Sequence, residues 1–315
     1  MARFAGGPSL ADTQDALRGA YSARVEEFIA AGRQAKLAAA ADDREKIAVV
    51  LVDYQHDFVD PDGTLAVPGA REDVARFLSW FYANAPRITS LYASLDTHLP
   101  YQIFFSSWWQ DAQTGEHPQP FTPISAAEVQ TGRWLPLFQP EWSISYVNKL
   151  AQQAQKDLMI WPHHTMQGTL GQMLVAPISE AIAWHSAARG TQPTYIAKGL
   201  TPRTEFYGIF GAEVHDPTEP ASALNLPLLE TIARHERIYI AGEAKSHCVL
   251  ETARQLVAYL SPQPEHLARL HILSDCTSSV QHPAVDFDAL AEQELELMRQ
   301  RGVQIVKSSD LLNHS

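Results

Sequence analysis

IAVVLVD, residues 47–53, is an apolar run rich in β-branched side chains that ends in an aspartate. Its apolar residues are successive and do not alternate with polar ones. A strand of this kind is covered by helices on both faces, and such strands are usually parallel. Similar runs recur along the chain as ITSLYASLD, DLMIWP, PTYIAKG, RIYIAGEA and LHILSDC, with a weaker VQIVKS near the end.

Helical patterns lie between these runs. Apolar residues share one helix face in two sets, Val74, Phe77, Leu78 and Phe81, and then Val249, Ala253, Leu256 and Leu260. Alternation of strand and helix predicts a doubly wound α/β fold, with a mostly parallel six-stranded sheet and helices on both faces.

Two stretches do not fit the alternation. Residues 1–45 carry Leu17, Tyr21, Val25 and Phe28 at near-helical spacing. They predict a helical extension that packs on its own domain or on a neighbouring subunit of a homo-oligomer, with a disordered tail as the alternative. The remaining residues, 46–315, form the second predicted unit, a single α/β domain.

Residues 100–150 are the second stretch, an insertion that is rich in proline and contains four tryptophans. The indole rings need burial, so the insertion is ordered and is not a linker. It is either a lid over a pocket or an excursion that packs on the sheet.

Composition limits the classes of partner. The 315 residues carry a formal charge of −12, which argues against nucleic acid and against anionic membranes, so a small molecule is the expected partner. The sequence has no secretory-type apolar segment and no run long enough to span a membrane, and we expect a cytoplasmic protein. Two cysteines are too few for a disulfide framework, although one bridge between them stays open.

Polar side chains follow four of the predicted strands. Asp53 ends the first, Asp96 and His98 follow the second, Lys198 follows PTYIA, and Cys248 follows RIYIAGEA after a short turn. Each residue alone is as well explained by helix capping or loop hydrogen bonding. Because ligands bind beyond the carboxyl ends of parallel strands, their convergence on one edge predicts a site.

Cys248 is the candidate nucleophile of this site. Its helix begins near Ser246, so the thiol lies at a helix N-terminus, where the macrodipole and free N–H groups favour a thiolate and lower its pKa. Asp53 is placed to take the thiol proton, and Lys198 to stabilise both charged groups. Cys276 we interpret as a small buried apolar residue.

Asp96 and His98 also form a candidate metal site, since extended backbone points residues two apart to the same side. WPHHTMQGT offers His163 or His164 as a third ligand. One carboxylate and two imidazoles suit a divalent metal such as zinc, iron or manganese.

These segments resemble the isochorismatase-like cysteine hydrolases and, within them, the nicotinamidases, over about residues 46–310. LVDYQHDF, DTHLP, WPHHTMQGT, KGLTPRTEFYGIF and GEAKSHCVLETA are similar to five ordered motifs of that family. The resemblance implies a triad of Cys248, Asp53 and Lys198, a metal held by Asp96, His98 and His164, and substrate contacts from Phe58, Trp161 and Tyr207. It also implies a cis peptide between Glu243 and Ala244, with an oxyanion hole made by the N–H groups of Ala244 and Cys248.

Four departures from the family pattern stand out. Thr165 replaces a frequent second cysteine, and Gln102 occupies the place of an additional metal-binding histidine. Residues 245–247, Lys-Ser-His, replace a commoner Thr-Asp-aromatic run, and Glu243 is an unusual acid beside the oxyanion hole. The last two departures bear on the substrate more than on the reaction.

The resemblance therefore implies a metal-dependent cysteine amidohydrolase that converts nicotinamide to nicotinate and ammonia through a thioester. The alternatives are a related amidase acting on a ureido or carbamoyl substrate and a non-catalytic protein that binds a metal and a ligand. Isochorismate hydrolysis is disfavoured, since cleavage of a vinyl ether does not call for a thiol.

Overall fold

The structure, a computed structural model, describes residues 23–154 and 156–310. Its strands all lie within those ranges. In chain order they are β1 (Ile47–Val52), β2 (Ser90–Asp96), β3 (Trp109–Asp111), β4 (Pro123–Ile124), β5 (Trp134–Pro136), β6 (Leu158–Met159), β7 (Thr194–Lys198), β8 (Arg237–Gly242), β9 (Leu270–Leu273) and β10 (Gln304–Val306).

Helices connect and cover these strands. The α-helices are α1 (Val25–Gln34), α2 (His56–Val59), α3 (Ala70–Asn84), α4 (Ala126–Gln130), α5 (Pro140–Lys149), α6 (Ala176–Arg189), α7 (Leu226–Ala233), α8 (Leu250–Leu260) and α9 (Phe287–Gln300). Two π-helical segments, Leu150–Ala154 and Lys245–Val249, follow α5 and precede α8 respectively. Single 3₁₀ turns lie at Ala40–Asp42, Ala85–Arg87, Ser106–Trp108, Leu170–Gln172 and Pro220–Ser222, and a longer one at Pro264–Arg269.

Six strands form one sheet in the order β10-β9-β8-β1-β2-β7, and every neighbouring pair is parallel. This confirms the predicted six-stranded parallel sheet. From β1 the chain builds outward first to one side, through β2 and β7, and then to the other, through β8, β9 and β10. Such a reversal opens a crevice at the carboxyl ends of the central strands, which is where ligands bind in sheets of this kind.

The central strand shows why the first motif determines the fold. All of β1 is buried, and its side chains alternate between two apolar clusters. Residues 47, 49 and 51 face the cluster covered by α1, α3 and α6, while residues 48, 50 and 52 face the cluster covered by α7, α8 and α9. Helices therefore lie on both faces of the sheet, as the unbroken apolar run predicts.

One predicted strand of the sheet is wrong. DLMIWP contributes only the two-residue β6, which pairs antiparallel with β4 and lies outside the six-stranded sheet. The pairing partner of Leu158 is Ile124, a residue of the insertion. An apolar run alone does not specify which strand it pairs with, and here the insertion supplies the partner.

The insertion packs into the core on the first face of the sheet. Trp108 and Trp109 are buried, and their indole N–H groups donate to Ser143 Oγ at 2.9 Å and to the Ile103 carbonyl at 2.7 Å. The residues that line the candidate cavity described below come from outside residues 100–150. Of the two interpretations of this insertion, packing on the sheet agrees with the structure.

The N-terminal stretch is described from residue 23 onward. Helix α1 packs against α6 of the same chain and buries Phe28, whereas Leu17 and Tyr21 lie outside the described residues. In the described part of the chain, no helix is both long enough and apolar enough to cross a membrane.

Candidate active site

Four adjacent strands, β8, β1, β2 and β7, bring the predicted residues to one edge of the sheet. Asp53 and Cys248 follow β1 and β8, while Asp96 and Lys198 end β2 and β7 and are direct partners in the strand register. All four side chains are buried. The convergence that the strand ends predict is therefore present in the fold.

Lys198 contacts the other three side chains. Its Nζ lies 3.0 Å from Asp53 Oδ2, 2.8 Å from Asp96 Oδ1 and 3.6 Å from Cys248 Sγ, and it donates to the Phe206 carbonyl at 3.0 Å. Burial alone would lower the pKa of Lys198, but the charges of Asp53 and Asp96 outweigh it and hold that pKa well above its ordinary value. The lysine therefore stays charged and balances the two carboxylates.

Asp53 has the features of a proton acceptor. Its backbone is in the left-handed region, with φ of 48°, which is uncommon for aspartate and costs free energy. The Ser94 hydroxyl donates to Asp53 Oδ1 at 2.5 Å, and the Asp53 N–H donates back to Ser94 Oγ at 3.1 Å. Burial raises the pKa of Asp53 even though Lys198 lowers it, which makes this carboxylate a stronger base than one in water.

Cys248 corrects one expectation from the sequence. It lies in the π-helical turn before α8, close to the predicted helix start, but its thiol is only 7% exposed. Burial raises the pKa of Cys248 well above its ordinary value, and the nearby carboxylates add to the rise, while Lys198 opposes it. Cys248 therefore rests as a thiol, and the predicted lowering of its pKa is wrong.

The segment before the nucleophile adopts the geometry that the resemblance implies. The peptide between Glu243 and Ala244 is cis. Gly242 makes this approach feasible, because a Cβ at this position would lie 1.9 Å from the Val52 carbonyl oxygen. Among the residues that the structure describes, the Ala244 N–H has no hydrogen-bond acceptor, so it is free to bind an oxyanion.

Asp96, His98 and His164 form a second group, whose potential ligand atoms all lie within 4.8 Å of one another. Asp96 Oδ2 is 2.8 Å from His98 Nε2 and 3.4 Å from His164 Nε2. Gly199 allows His98 to occupy its place, since a Cβ on Gly199 would lie 2.7 Å from the imidazole Cε1.

The orientation of the two imidazoles favours a cation at this point. Nδ1 of His98 lies 3.3 Å from the Gly199 carbonyl, and Nδ1 of His164 lies 2.8 Å from the Pro162 carbonyl. If each Nδ1 donates its hydrogen there, the Nε2 lone pairs face the Asp96 carboxylate. His98 Nε2 is buried and makes no well-aligned hydrogen bond within the described residues, although Asp96 Oδ2 is 2.8 Å away. Such a set of acceptors fits a divalent metal, with the carbonyls fixing the rings as outer-shell groups do at metal sites.

Two neighbouring residues are not available as metal ligands. Gln102 accepts from the Leu99 N–H at 2.9 Å and donates to the Gly199 and Thr201 carbonyls at 2.7 and 3.2 Å, so its amide is fully used. His163 is exposed and stacks on Phe105 with ring centroids 4.1 Å apart. Between the two histidines that the sequence left open, the structure places His164 in the group.

A narrow cavity opens onto both groups. Four of its twelve lining residues are Phe, Trp or Tyr, and Asp96, His164 and Cys248 are among the other eight. Its lining residues are Phe58, Leu65, Asp96, Trp161, His164, Glu205, Phe206, Tyr207, Ala244, His247, Cys248 and Val280. The three predicted substrate contacts are among them.

Three residues near the reacting groups were missed in the sequence. Ser94 holds Asp53 and lies two positions before Asp96 on the same strand, a spacing that could have identified it. Glu205 lines the cavity beside the metal group, and burial raises its pKa to about 7. His247 meets the rings of Trp161 and Tyr207 edge to face, with centroids 5.3 and 5.2 Å away.

Comparison with known proteins supports the fold. No family model matches the sequence, and no curated protein matches it. Solved structures do: the Acinetobacter baumanii nicotinamidase/pyrazinamidase is 20% identical with a TM-score of 0.54, over 85% of this chain and 99% of that one. The yeast nicotinamidase is 20% identical with a TM-score of 0.55, over 82% and 99%. An L. infantum protein in complex with nicotinate is 19% identical with a TM-score of 0.51, over 85% and 96%.

At these identities the likeness concerns architecture. The neighbours match nearly their whole length to this chain, and the sheet of residues 47–306 is parallel and six-stranded, with helices on both faces. The chain therefore has the α/β fold of the nicotinamidases, as its motifs predicted.

Proposed function

We propose that the protein hydrolyses a small amide through Cys248, Asp53 and Lys198, with a divalent metal held beside them by the Asp-His-His group. One observation carries the proposal: Lys198 Nζ contacts Asp53, Asp96 and Cys248, and two of these, Asp96 and Cys248, line the cavity beside its aromatic side chains. A thiol, a base with a raised pKa and a fixed cation are what nucleophilic catalysis requires.

The reaction begins at Cys248 and Asp53, both of which contact Lys198 Nζ. Asp53 accepts the thiol proton as Sγ attacks the amide carbonyl carbon. The N–H groups of Ala244 and Cys248 stabilise the oxyanion that forms. When the C–N bond breaks, Asp53 gives its proton to the departing ammonia, and the acyl group remains on Cys248 as a thioester.

Water completes the cycle. It attacks the thioester carbonyl and gives a proton to Asp53, and the acid then leaves while Cys248 recovers the proton. Lys198 stays charged throughout, and its contact with Sγ stabilises each thiolate that forms.

Asp96, His98 and His164 would hold the metal, and their one oxygen and two nitrogens make zinc the first choice, with iron or manganese as alternatives. When bound, such an ion supplies a Lewis-acid contact for a ring nitrogen. The protein's own residues then orient the substrate: Phe58, Trp161 and Tyr207 offer ring faces and edges to a flat aromatic molecule.

Nicotinamide, hydrolysed to nicotinate and ammonia, is the substrate we propose first. The small aromatic cavity and the metal group beside it support this choice, as do solved structures of the same fold whose titles name nicotinamidases. We also place the protein in the cytoplasm. Both cysteines are free, and the reaction requires Cys248 to remain reduced.

The test is ammonia release from a panel of amides, nicotinamide and ureido compounds included, with metal content measured on the same sample. Cys248→Ala should abolish release and retain ligand binding, while Cys276→Ala, which removes the other buried thiol, should retain most activity. Turnover of a ureido compound without nicotinamide would overturn nicotinamide alone. No release from any amide, or release that survives Cys248→Ala, would overturn the amidase itself.

A further inference from the structure

Two buried carboxyl groups lie behind the catalytic edge and take no part in the proposed reaction. Glu243, which forms the cis peptide with Ala244, is 0% exposed, and Asp73 of α3 is 1% exposed. We call these two residues the acid pair. Buried carboxylates require a counter-charge or a proton, so the acid pair needs an account of its own.

In the acid pair, each carboxyl group has one oxygen that accepts no hydrogen bond. Glu243 Oε2 accepts the Ser278 N–H at 3.1 Å, and Asp73 Oδ1 accepts from Arg76 Nη2 at 2.5 Å. Glu243 Oε1 and Asp73 Oδ2 are buried and find no donor among the described residues. The two carboxyl groups are nevertheless neighbours, and each acts on the pKa of the other. Since ionised carboxylates only accept, a proton on one of the two supplies the donor that both unused oxygens lack.

The surrounding charges indicate which one. Arg76 faces Asp73, while Lys245 turns its Nζ away to Asp288 and Glu292, at 2.7 and 2.6 Å. The other titratable neighbours are Tyr54, whose hydroxyl donates to the Cys276 carbonyl, and Cys276 itself. Both are neutral at physiological pH.

Burial raises the pKa of Glu243 well above its ordinary value, and the Asp73 charge adds to the rise. Burial raises the pKa of Asp73 as well, but Arg76 opposes that rise, so Glu243 is the member that carries the proton and Asp73 stays ionised.

Ser278 connects the acid pair to the oxyanion hole. Its N–H donates to Glu243, and its carbonyl accepts the Lys245 N–H at 2.7 Å. Glu243 and Lys245, the residues before and after Ala244, are therefore both hydrogen-bonded to Ser278. Any shift of Ser278 would rotate the peptide that presents the Ala244 N–H.

We infer that Glu243 is held as a neutral acid, with its proton donated to Asp73, and that the acid pair and Ser278 together position the Ala244 N–H for the oxyanion. Glu243 is a positioning residue in this scheme and does not touch the substrate. The inference deepens the proposed function and rests on it for its kinetic consequence.

Two substitutions of similar size separate this role from simple packing. Glu243→Gln keeps an acceptor for Ser278 and a donor for Asp73 without charge, so kcat should stay within about threefold of wild type. Glu243→Met keeps the volume but no hydrogen bond, and kcat should fall by about 10- to 100-fold, somewhat less than the loss of a whole oxyanion donor.

Because the oxyanion forms only in the transition state, KM should change little in Glu243→Met. Equal loss in the two variants, or a loss carried by KM, would overturn the inference.

A second pair of measurements does not depend on turnover. Glu243 should give an infrared band of a protonated carboxyl group at neutral pH, in addition to the band of Glu205, whose pKa is about 7. The Glu243 band should disappear in Glu243→Gln and persist in Glu296→Gln, whose exposed carboxylate is ionised. Hydrogen exchange of residues 242–249 should accelerate in Glu243→Met and not in Glu243→Gln.

If wild type releases no ammonia from any amide, the proposed function fails, and these two results still decide the acid pair. A missing band, or exchange that does not distinguish the variants, would overturn it.

Discussion

Two groups of buried carboxyls lie near the same edge of the sheet, and the fold stabilises them in opposite ways. Asp53 and Asp96 share Lys198, whose Nζ lies within 3.0 Å of both, and we call these three residues the lysine cluster. The acid pair, Glu243 and Asp73, has no cation between its members within the described residues. One group is balanced by a fixed charge and the other by a shared proton.

The difference follows the work that each group does. In the reaction we propose, charge has to be present in the lysine cluster and close to the sulfur, because Asp53 accepts a proton there and Lys198 stabilises a thiolate. In the acid pair, a neutral carboxyl fixes the backbone without adding a negative charge beside a developing oxyanion. Burial is the same for both groups, and the presence or absence of a lysine decides the protonation state.

The largest expected effect comes from removing the cation. Lys198→Met leaves Asp53 and Asp96 buried without a counter-charge, which should cost about 3–5 kcal/mol of stability. Activity should fall about 10³-fold or more, as for loss of a member of a catalytic set. Stability should then recover as pH falls, because the lysine cluster would take up a proton as the acid pair does. Denaturant unfolding and kcat/KM measure the two effects.

The control is Lys156→Met, which removes a lysine that also pairs with two carboxylates, Glu213 and Glu251, at 2.7 and 3.1 Å. Its side chain is 28% exposed, so the loss should be about 1 kcal/mol. Equal destabilisation in the two variants would remove the distinction between a catalytic and a merely paired lysine.

The second effect concerns the proposed metal site, which shares Asp96 with the lysine cluster. His164→Asn should lower zinc affinity by at least about 100-fold, which is the upper end of the effect of outer-shell substitutions. His163→Asn, one residue earlier and exposed, should leave affinity unchanged. Zinc titration by calorimetry tests both variants, and similar losses in the two would count against the Asp-His-His group.

The smallest effect is a pH dependence. The folded protein holds the pKa of Glu243 well above the unfolded value, so the folded state keeps a proton that the unfolded chain releases. Stability from this group is complete at low pH and is lost as pH rises through the folded pKa. Glu243→Gln removes this pH-dependent loss of stability. Between about pH 5 and 8, the free energy of unfolding of the variant should therefore rise relative to that of wild type, by at most about 1.4 kcal/mol per pH unit.

Glu296→Gln is the comparison variant, because the pKa of Glu296 is shifted in the opposite direction to that of Glu243. Hydrogen bonds from Arg299 and Gln300 lower the pKa of Glu296 to about 2. The contribution of Glu296 to stability is therefore present above its unfolded pKa. The free energy of unfolding of Glu296→Gln should not rise relative to that of wild type as pH rises. A flat difference between Glu243→Gln and wild type would show that Glu243 is ionised in the folded protein.

The lysine cluster was predictable from the sequence, whereas the acid pair was not. Asp53, Asp96 and Lys198 each follow an apolar run, and parallel strands carry such residues to a common edge. Asp73 resembles an ordinary acidic residue in the first turn of a helix, and nothing local connects it to a residue 170 positions later. Contacts of that kind depend on packing between elements, which has no local sequence signal.

Burial and tertiary pairing explain the remaining errors of prediction from the sequence. The position of Cys248 at a helix start predicted a low pKa, but desolvation outweighs the helix there. DLMIWP was apolar enough for a strand of the sheet, yet its hydrogen-bond partner lies in the insertion. The N–H groups and carbonyls that satisfy Gln102 and His164 are likewise set by the tertiary structure.

The protonated state of Cys248 has a consequence for the lifetime of the protein. Peroxides oxidise thiolates far faster than thiols, and they do so where the sulfur is accessible. A sulfur that is 7% exposed and holds its proton at rest meets neither condition. In the reaction we propose, the thiolate forms only while a substrate is bound, so burial of the protonated thiol would protect Cys248 from oxidative inactivation between turnovers.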